Sequence, residues 1–486
     1  MDTLVQHRAK KVLFWVALCV VTPLVVGLLT LKFDVLFPAL VIVLCLSVFF
    51  LFAIFQRPIF SAFLFIAGGF FLTTIGREIG GVNYGLLSEG FLVLSWLSAL
   101  CHYKKAQWAN LSNEVNLLML LWFVISVLEI FNPAATFAGA IREFRTVALY
   151  PLLSVPVFFV IIDRVEYVDR FIVAIILFSV IAALNGIKQK HFGLFPGEQA
   201  FLDEGGDITH IVFGRLRVFS FYSDAGQFGA SQAHIGLIAL ILAFGPYKLW
   251  KRLLLFLAAA TMLYGMLISG TRGSLAVIIV GVFFALVLSK NYKAVIFGTV
   301  LFLGFIAMLK FTYIGNGNYD IYRLRTALDP EDASLNVRLS SQRILRSYLQ
   351  DKPFGDGLGT IGYFGMEYNK GTFLSSVQPD SYWVKVWAMY GIVGLTIWFG
   401  MMMYILGKCC GVVWRIQDPG LKIKLLALTA GYAGILVSSY GNEVINNQPS
   451  SFVIYLSWAL VLLGPRWDRE LASNRGVGHI APHGAR

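Results

Sequence analysis

Charged residues are scarce in this chain of 486 residues: Asp, Glu, Lys and Arg make up 14% of it, whereas apolar residues of the AVILMFWYC set make up 58%. Soluble domains carry about 25% charged residues, so this chain lacks the charge to cover a water-exposed surface. The shortage excludes a soluble enzyme and a disordered chain. The composition instead predicts an all-α polytopic membrane protein.

Cysteine and acidic residues are also few. The low charge also excludes a secreted disulfide scaffold, and the five cysteines, which lie in apolar or basic surroundings, show no metal-ligand spacing. We predict neither a metal site nor a cofactor. The 27 acidic residues are outnumbered by 39 basic ones. This excess is typical of the cytoplasmic loops of membrane proteins, and no nucleic-acid motif accompanies it, so the expected partner is the lipid bilayer.

Long apolar runs are abundant. A helix needs about 17–25 such residues to cross the hydrocarbon core. We predict about fourteen transmembrane helices, with twelve or thirteen also compatible, in a single integral membrane domain over 1–486. The predicted spans are about 12–31, 35–55, 59–76, 86–101, 115–131, 145–162, 170–187, 226–245, 252–269, 273–289, 293–311, 381–407, 422–440 and 451–464.

The distribution of Lys and Arg predicts the orientation. If the amino terminus is cytoplasmic, alternation also places most basic loops, including Lys104–Lys105, Lys408–Lys424 and the tail 465–486, in the cytoplasm. Both termini are therefore expected there. The first span is longer than a signal-peptide core and lacks an A-x-A cleavage site, so we expect it to be retained.

Two long loops, 188–225 and 312–380, are predicted on the outer side, and loops of this length are usually functional. Within the second, Asp329-Pro330 predicts the start of an amphipathic helix that continues to Leu349. Arg338, Arg343 and Arg346 lie mostly on its polar side. Two interpretations remain open: the arginines face lipid phosphates, or they face a bound anionic substrate.

Charged residues at the outer ends of the spans are expected to converge on one face. These are Glu129, Arg142, Glu143, Arg145, Arg215, Arg217, Asp224, Arg272, Asp380, Lys385 and Glu443. Arg272 lies in a turn of small residues between two apolar spans. It is either an interfacial anchor or a planar donor to phosphate or carboxylate. The segment 214–229, with Arg215, Arg217 and Asp224, would suit a groove for an anionic sugar-bearing lipid.

Several motifs together resemble the O-antigen ligase and O-antigen polymerase superfamily over roughly residues 140–410. They are Ser269-Gly270-Thr271-Arg272-Gly273-Ser274, the segment from Arg217 to Gly229, Pro353-Phe354-Gly355-Asp356-Gly357-Leu358-Gly359, Asp380-Ser381-Tyr382-Trp383 and Tyr390-Gly391-Ile392-Val393-Gly394-Leu395. The order also matches, because a large loop separates the central motifs from a span that opens with aromatic residues. Spacing alone does not make the glycine-rich segment a phosphate-binding loop.

The resemblance implies a GT-C-like, metal-independent, inverting membrane glycosyltransferase of the bacterial inner membrane. Its donor would be a glycan on undecaprenyl pyrophosphate, and its active site would face the periplasm. Arg217 and Arg272 would take the family's arginine roles at the pyrophosphate, with Arg215 a less certain neighbour. Asp224, Arg338, Arg343, Arg346 and Tyr382 are the other predicted substrate-binding residues.

The sequence departs from the ligases at the base, because they place a histidine just before the span that follows the long loop. Here Asp380 occupies about that position, and no histidine lies between His234 and His479. Asp380 is either the catalytic base or a helix cap; Asp224 and His210 are lesser candidates, and His191 is expected to line the loop. The departure favours a repeat-unit polymerase with a glycan acceptor. A ligase acting on lipid A–core, a protein O-oligosaccharyltransferase and, from another class, a flippase remain alternatives.

Overall fold

The computed structural model describes residues 48–49, 51–53, 55–79, 84–212, 214–290, 292–313, 317, 319–325, 333–379 and 381–478. The predicted span 12–31, most of 35–55, the predicted helix start at Asp329 and the predicted catalytic Asp380 lie outside the described residues. The same applies to the last part of the predicted cytoplasmic tail, 479–486.

Helices form nearly all of the described secondary structure. The first ten are α1 Pro58–Ile79, α2 Tyr84–His102, α3 Lys105–Trp108, α4 Glu114–Ile130, α5 Phe137–Phe144, α6 Tyr150–Ile161, α7 Glu166–His191, α8 Pro196–Phe201, α9 Asp207–His210 and α10 Ala225–Ala243. The others are α11 Leu249–Ile268, α12 Ser274–Leu288, α13 Tyr292–Phe311, α14 Tyr319–Arg325, α15 Ala333–Leu349, α16 Gly362–Tyr368, α17 Tyr382–Arg415, α18 Pro419–Ser438 and α19 Ser450–Gly478. A short hairpin pairs β1 Ile211–Val212 with β2 Arg215–Leu216.

Eight helical stretches among the described residues are long and apolar enough to cross a membrane: Pro58–Ile79, Gly85–His102, Phe137–Ile161, Glu166–His191, Ala225–Ala243, Leu249–Ile268, Tyr382–Arg415 and Pro419–Ser438. The stretch Phe137–Ile161 comprises α5, α6 and the residues between them. The protein is therefore an all-α, multi-pass membrane protein. Helices α4, α12, α13 and α19 coincide with further predicted spans, and the total of fourteen stays a prediction.

Helix α10 is the centre of the bundle, because 94% of its apolar stretch is buried inside the protein. It packs against α7, α11, α12 and α18. Small residues along α10 allow these neighbours to approach closely. At Gly229 a Cβ atom would lie 2.3 Å from the Ser269 Oγ, so the turn after α11 rests directly on the helix backbone.

Four segments between helices meet at one end of the bundle, which we call the loop face: 192–224, 269–273, 312–381 and 439–449. The Arg323 Nε donates to the Gly270 carbonyl at 2.6 Å. The Tyr382 amide donates to the Ser439 carbonyl at 3.0 Å, and the Tyr440 hydroxyl donates to Gln342 at 3.2 Å. The second long loop thus contacts both short turns.

Helix α17 is broken at Gly391, where φ is 64° and ψ is −170°. The break exposes carbonyl groups that a continuous helix would use itself, and the glycine-rich segment 353–359 binds them. The Asp356 and Gly357 amides donate to Ala388 and Met389, each at 3.0 Å. The motif Pro353–Gly359 is therefore a docking loop that fixes the second long loop to a transmembrane helix.

Helix α15, Ala333–Leu349, lies within the predicted helix from Asp329 to Leu349 and packs through Leu345 and Leu349, both buried. Its end is fixed to the docking loop. The Tyr348 hydroxyl donates to the Asp356 carboxylate at 2.6 Å, and the Lys352 Nζ lies 2.8 Å from the other carboxylate oxygen. The helix that carries Arg338 is thereby connected to α17.

Replacing Gly391 by alanine should destabilise the protein by at least about 2 kcal/mol, because the backbone is left-handed there and a Cβ would lie 2.0 Å from the Pro353 carbonyl oxygen. The measurement is thermal unfolding in detergent. Gly407→Ala is the matched control in the same helix, since its Cβ would meet open space. Equal melting temperatures for the two variants would contradict the docking of the loop at the break.

Candidate active site

Arg217 lies just after the hairpin, where the backbone leaves the first long loop for α10. Its amide donates to the His210 carbonyl at 2.7 Å. Its guanidinium donates to the Thr209 carbonyl at 3.2 Å and to the Thr271 hydroxyl at 3.4 Å. The Thr271 hydroxyl in turn donates to the Ala225 carbonyl at 2.8 Å. This chain of contacts holds Arg217 against the residue that precedes Arg272.

Arg272 itself is half-buried, and both of its neighbours are fixed. Thr271 contacts Arg217, as above. The Gly273 carbonyl accepts from the Ser438 hydroxyl at 2.8 Å, and a Cβ on Gly273 would lie 2.6 Å from the Asn442 side-chain nitrogen. The turn at Arg272 is therefore held between Arg217 and the loop 439–449.

A polar cavity of about 330 Å³ opens beside these residues on the loop face. It is lined by Arg217, Asp224, Gly226, Gln227, Arg338, Pro379, Asn442, Glu443, Val444 and Asn447. Three of the predicted site residues thus meet at one cavity, although they come from the first loop, the second loop and the entry to α10. Two arginines supply the guanidinium donors that an anionic ligand can bind, and the two carboxyl groups of Asp224 and Glu443 lie beside them.

Asp224 caps α10, because its carboxylate accepts from the Gln227 amide at 3.0 Å. Gln227 extends from the first turn of the same helix, and its side-chain amide donates to the Glu443 carbonyl. The start of α10 therefore positions both a cavity wall and the loop 439–449. One carboxylate oxygen of Asp224 caps the helix, and the same residue lines the cavity.

Three charged side chains from different helices and loops form a buried cluster below the cavity. The Lys385 Nζ lies 3.1 Å from a carboxylate oxygen of Glu143 and 3.1 Å from one of Glu443. The side chains of Glu143 and Lys385 are 1% and 10% exposed, whereas that of Glu443 is 25% exposed. Glu443 is therefore the member that connects the cluster with the cavity.

Burial raises the pKa of the Glu443 carboxyl above its ordinary value. The nearby Lys385 ammonium opposes this shift, and the carboxylates of Glu143 and Asp224 add to it. A carboxylate with a raised pKa is a stronger proton acceptor than an exposed one, so Glu443 is suited to acid–base chemistry.

His210, a lesser candidate for the base, has both ring nitrogens occupied. Its Nδ1 contacts the Gly206 carbonyl at 2.9 Å, and its Nε2 accepts from the Ala225 amide at 3.3 Å. Burial lowers the pKa of this imidazole, which favours its neutral form. His210 connects the first loop to the start of α10. His191 lies at the end of α7 and contacts the Tyr264 hydroxyl at 2.9 Å.

The other predicted site residues have varied positions. Arg215 is exposed on β2, and Arg343 and Arg346 are exposed on α15, while Arg338 of the same helix reaches the cavity. Tyr382 is 2% exposed and packs its ring against Trp398 in the core. It is not one of the cavity-lining residues. Asp380 lies outside the described residues, between Pro379 in the cavity wall and Ser381.

Four residues of the site were not predicted from sequence: Gln227, Asn442, Asn447 and Arg323. Glu443 was predicted only as a charge at the outer end of a span. The short turn Gly441–Ser450 contains three asparagines, a glutamine and a glutamate. So many amides in a turn between two apolar helices are a signal for a polar site, because lipid-facing turns have no need of them. Arg323 had no comparable signal.

Among the residues that the structure describes, no group of three or more His, Cys, Asp or Glu side chains is arranged to hold a metal ion. The cationic groups around the cavity are the arginines. Fixed guanidinium donors of this kind can bind a diphosphate and stabilise the charge that develops on it as it leaves.

The geometry thus defines a multi-pass membrane protein with an arginine-lined cavity on its loop face. Residues 257–399 match a family model described as O-antigen ligase. This match confirms the resemblance to the O-antigen ligase and polymerase superfamily, whose members are glycosyltransferase-like enzymes. The matched segment contains Arg272, Arg338 and the docking loop, whereas Arg217, Asp224 and Glu443 lie outside it. No curated protein matches the chain.

Lys385→Met should cost about 3–5 kcal/mol of stability, because it leaves two carboxylates buried without their counter-ion. Thermal unfolding in detergent measures this loss. The control is Lys408→Met in the same helix, whose partner Glu114 is exposed, and its melting temperature should stay close to that of the wild type. A similarly small change for Lys385→Met would show that the cluster is not buried.

Proposed function

We propose that the protein transfers a glycan from undecaprenyl pyrophosphate to an acceptor hydroxyl at the periplasmic face of the bacterial inner membrane. The observation that carries the proposal is the arginine-lined cavity. Arg217 and Arg338 line it, and Arg272 lies in the turn held against Arg217 and Asn442. The family match, which covers Arg272 and Arg338, supports an O-antigen ligase or polymerase type of activity.

The chemistry explains why arginines are needed. The acceptor oxygen attacks the anomeric carbon with inversion, the bond from that carbon to the pyrophosphate oxygen breaks, and negative charge accumulates on the leaving diphosphate. Guanidinium groups already in position stabilise that charge without reorganising. In this proposal they supply the positive charge that other glycosyltransferases take from a divalent cation, so the reaction is metal-independent.

Orientation is part of the proposal. With both termini in the cytoplasm, the loop face lies in the periplasm, where a lipid-linked donor would present its glycan. The basic residues support this arrangement because Lys248, Lys251 and Lys424 lie at the opposite end of the helices from the loop face. The excess of positive charge on that end is typical of a cytoplasmic side.

Among the members of the superfamily, we favour a repeat-unit polymerase of O-antigen or exopolysaccharide. The chain has no histidine between His234 and His479 and so lacks the one that the ligases place before the span after the long loop. A ligase acting on lipid A–core and a protein O-oligosaccharyltransferase are the alternatives in the same class. A flippase is less compatible, because the charges lie at the loop face and not in a central cavity along the bundle.

Deleting the gene distinguishes these activities by what accumulates. A polymerase deletion should leave lipid A capped with single repeats. Unattached long polymer would instead identify a ligase, and unglycosylated protein a protein transferase. Substrate held in the cytoplasmic leaflet would identify a flippase and would contradict the proposed reaction.

Arg217→Ala and Arg272→Ala should each lower transfer at least about 10²-fold, since each removes a donor to the leaving group. Transfer is measured with purified protein and a lipid-linked donor, and a chelator should leave the wild-type rate unchanged. Arg415→Ala, at the opposite end of α17, is the control. Normal transfer by both Arg217→Ala and Arg272→Ala would contradict the proposal.

A further inference from the structure

The buried cluster of Glu143, Lys385 and Glu443 has an unbalanced charge. It contains two carboxylates and one ammonium group, and the lysine contacts both acids at 3.1 Å. Burying a net charge among apolar helices is costly. The cluster would become electrically neutral if one of the carboxylates accepted a proton.

Exposure decides which carboxylate can accept that proton. The side chain of Glu143 is 1% exposed and faces the lysine inside the bundle, whereas the side chain of Glu443 is 25% exposed and lines the polar cavity. Only the second has access to a group bound in the cavity. The backbone of Glu443 is also fixed, because its carbonyl accepts from the side chains of Gln227 and Asn447.

We propose that Glu443 is the general base of the reaction: its carboxylate takes the proton of the acceptor hydroxyl as the oxygen attacks the anomeric carbon. The pair of electrons of the broken carbon–oxygen bond goes to the pyrophosphate. Proton transfer converts the cluster into a neutral acid beside a Lys385–Glu143 ion pair, and release of the proton to the periplasmic water restores it. This inference rests on the proposed function.

Among the residues that the structure describes, the neighbouring acids and bases are less suited to the role. One oxygen of Asp224 caps α10, and both nitrogens of His210 are engaged with the backbone. Lys385 and Glu143 act through Glu443 and are positioning residues. Their arrangement explains why a lysine lies near the start of a transmembrane helix.

Glu443→Gln is the direct test. Glutamine keeps an oxygen for Lys385 but cannot accept the proton, so kcat should fall by about 10²–10⁴-fold while binding of undecaprenyl pyrophosphate is retained. Glu443→Asp, which keeps the carboxylate, should recover part of the rate. A kcat for Glu443→Gln within about threefold of wild type would overturn the assignment.

The pH profiles of the wild type and of Glu143→Gln give a second readout that does not depend on the folding of Glu443→Gln. The wild-type kcat/KM should rise with pH, because the base acts as its carboxylate, and Glu443→Gln should lack that rise. The charged groups around Glu443 are Lys385, Glu143, Asp224, Arg217 and Arg338. Glu143→Gln removes the neighbouring negative charge, so the midpoint of the rise should move to lower pH. An unchanged midpoint would overturn the proposal.

Controls separate this inference from the proposed function. Glu367→Gln, an exposed carboxylate on α16, should transfer glycan at the wild-type rate. If the wild-type protein transfers no glycan from a lipid pyrophosphate, the proposed function fails. If the wild type transfers glycan and Glu443→Gln does so equally well, only the assignment of the base fails.

Discussion

The cost of placing charge beside a membrane core governs the arrangement of this protein. A guanidinium, ammonium or carboxylate group at the end of an apolar helix must find partners in a region with little water. On the loop face the partners come from distant parts of the chain: Lys385 meets Glu143 and Glu443, and Arg217 meets Thr271. These contacts connect α5, α17 and the segments 192–224, 269–273 and 439–449 around the polar cavity. The contacts that pair the charged groups are therefore also contacts that form the site.

The second long loop is held in place by main-chain hydrogen bonds instead of charge pairs. The backbone of α17 is broken at Gly391, and the docking loop 353–359 occupies the break through main-chain hydrogen bonds. Because Asp356 of that loop also binds Tyr348 at the end of α15, the loop transmits the position of α17 to the helix that carries Arg338. The second long loop thereby holds Arg338 at the cavity in a position fixed relative to α17.

Much of the fold could be predicted from sequence because membrane spans are apolar over their whole length. Most of the described helices begin and end close to the predicted boundaries, but α17 continues to Arg415 and α19 to Gly478, beyond the predicted ends at 407 and 464. The stretch Phe137–Ile161 begins before the predicted start at 145. The contacts between elements could not be predicted in the same way. Sequence spacing does not show that Lys385 contacts Glu143, nor that Arg338 reaches a cavity while Arg346 of the same helix is exposed. These facts depend on how helices pack.

For the site as well, some residues could be predicted from sequence, whereas the contacts that they make could not. Arg217, Asp224 and Arg338 were predicted from charge and motif, and they line one cavity. Tyr382 belongs to the aromatic core instead, because its position at the start of α17 directs its ring toward Trp398. The glycine-rich motif was predicted to permit close backbone approach, but the sequence could not identify its partner. That partner is a helix break, which only the folded backbone reveals.

A structure of the protein in lipid with undecaprenyl pyrophosphate bound is the most direct test that Arg217 and Arg272 bind the diphosphate. We expect the diphosphate in the polar cavity, with its oxygens within hydrogen-bond distance of both guanidinium groups. A diphosphate bound elsewhere, with both arginines turned away from it, would show that these residues do not bind it.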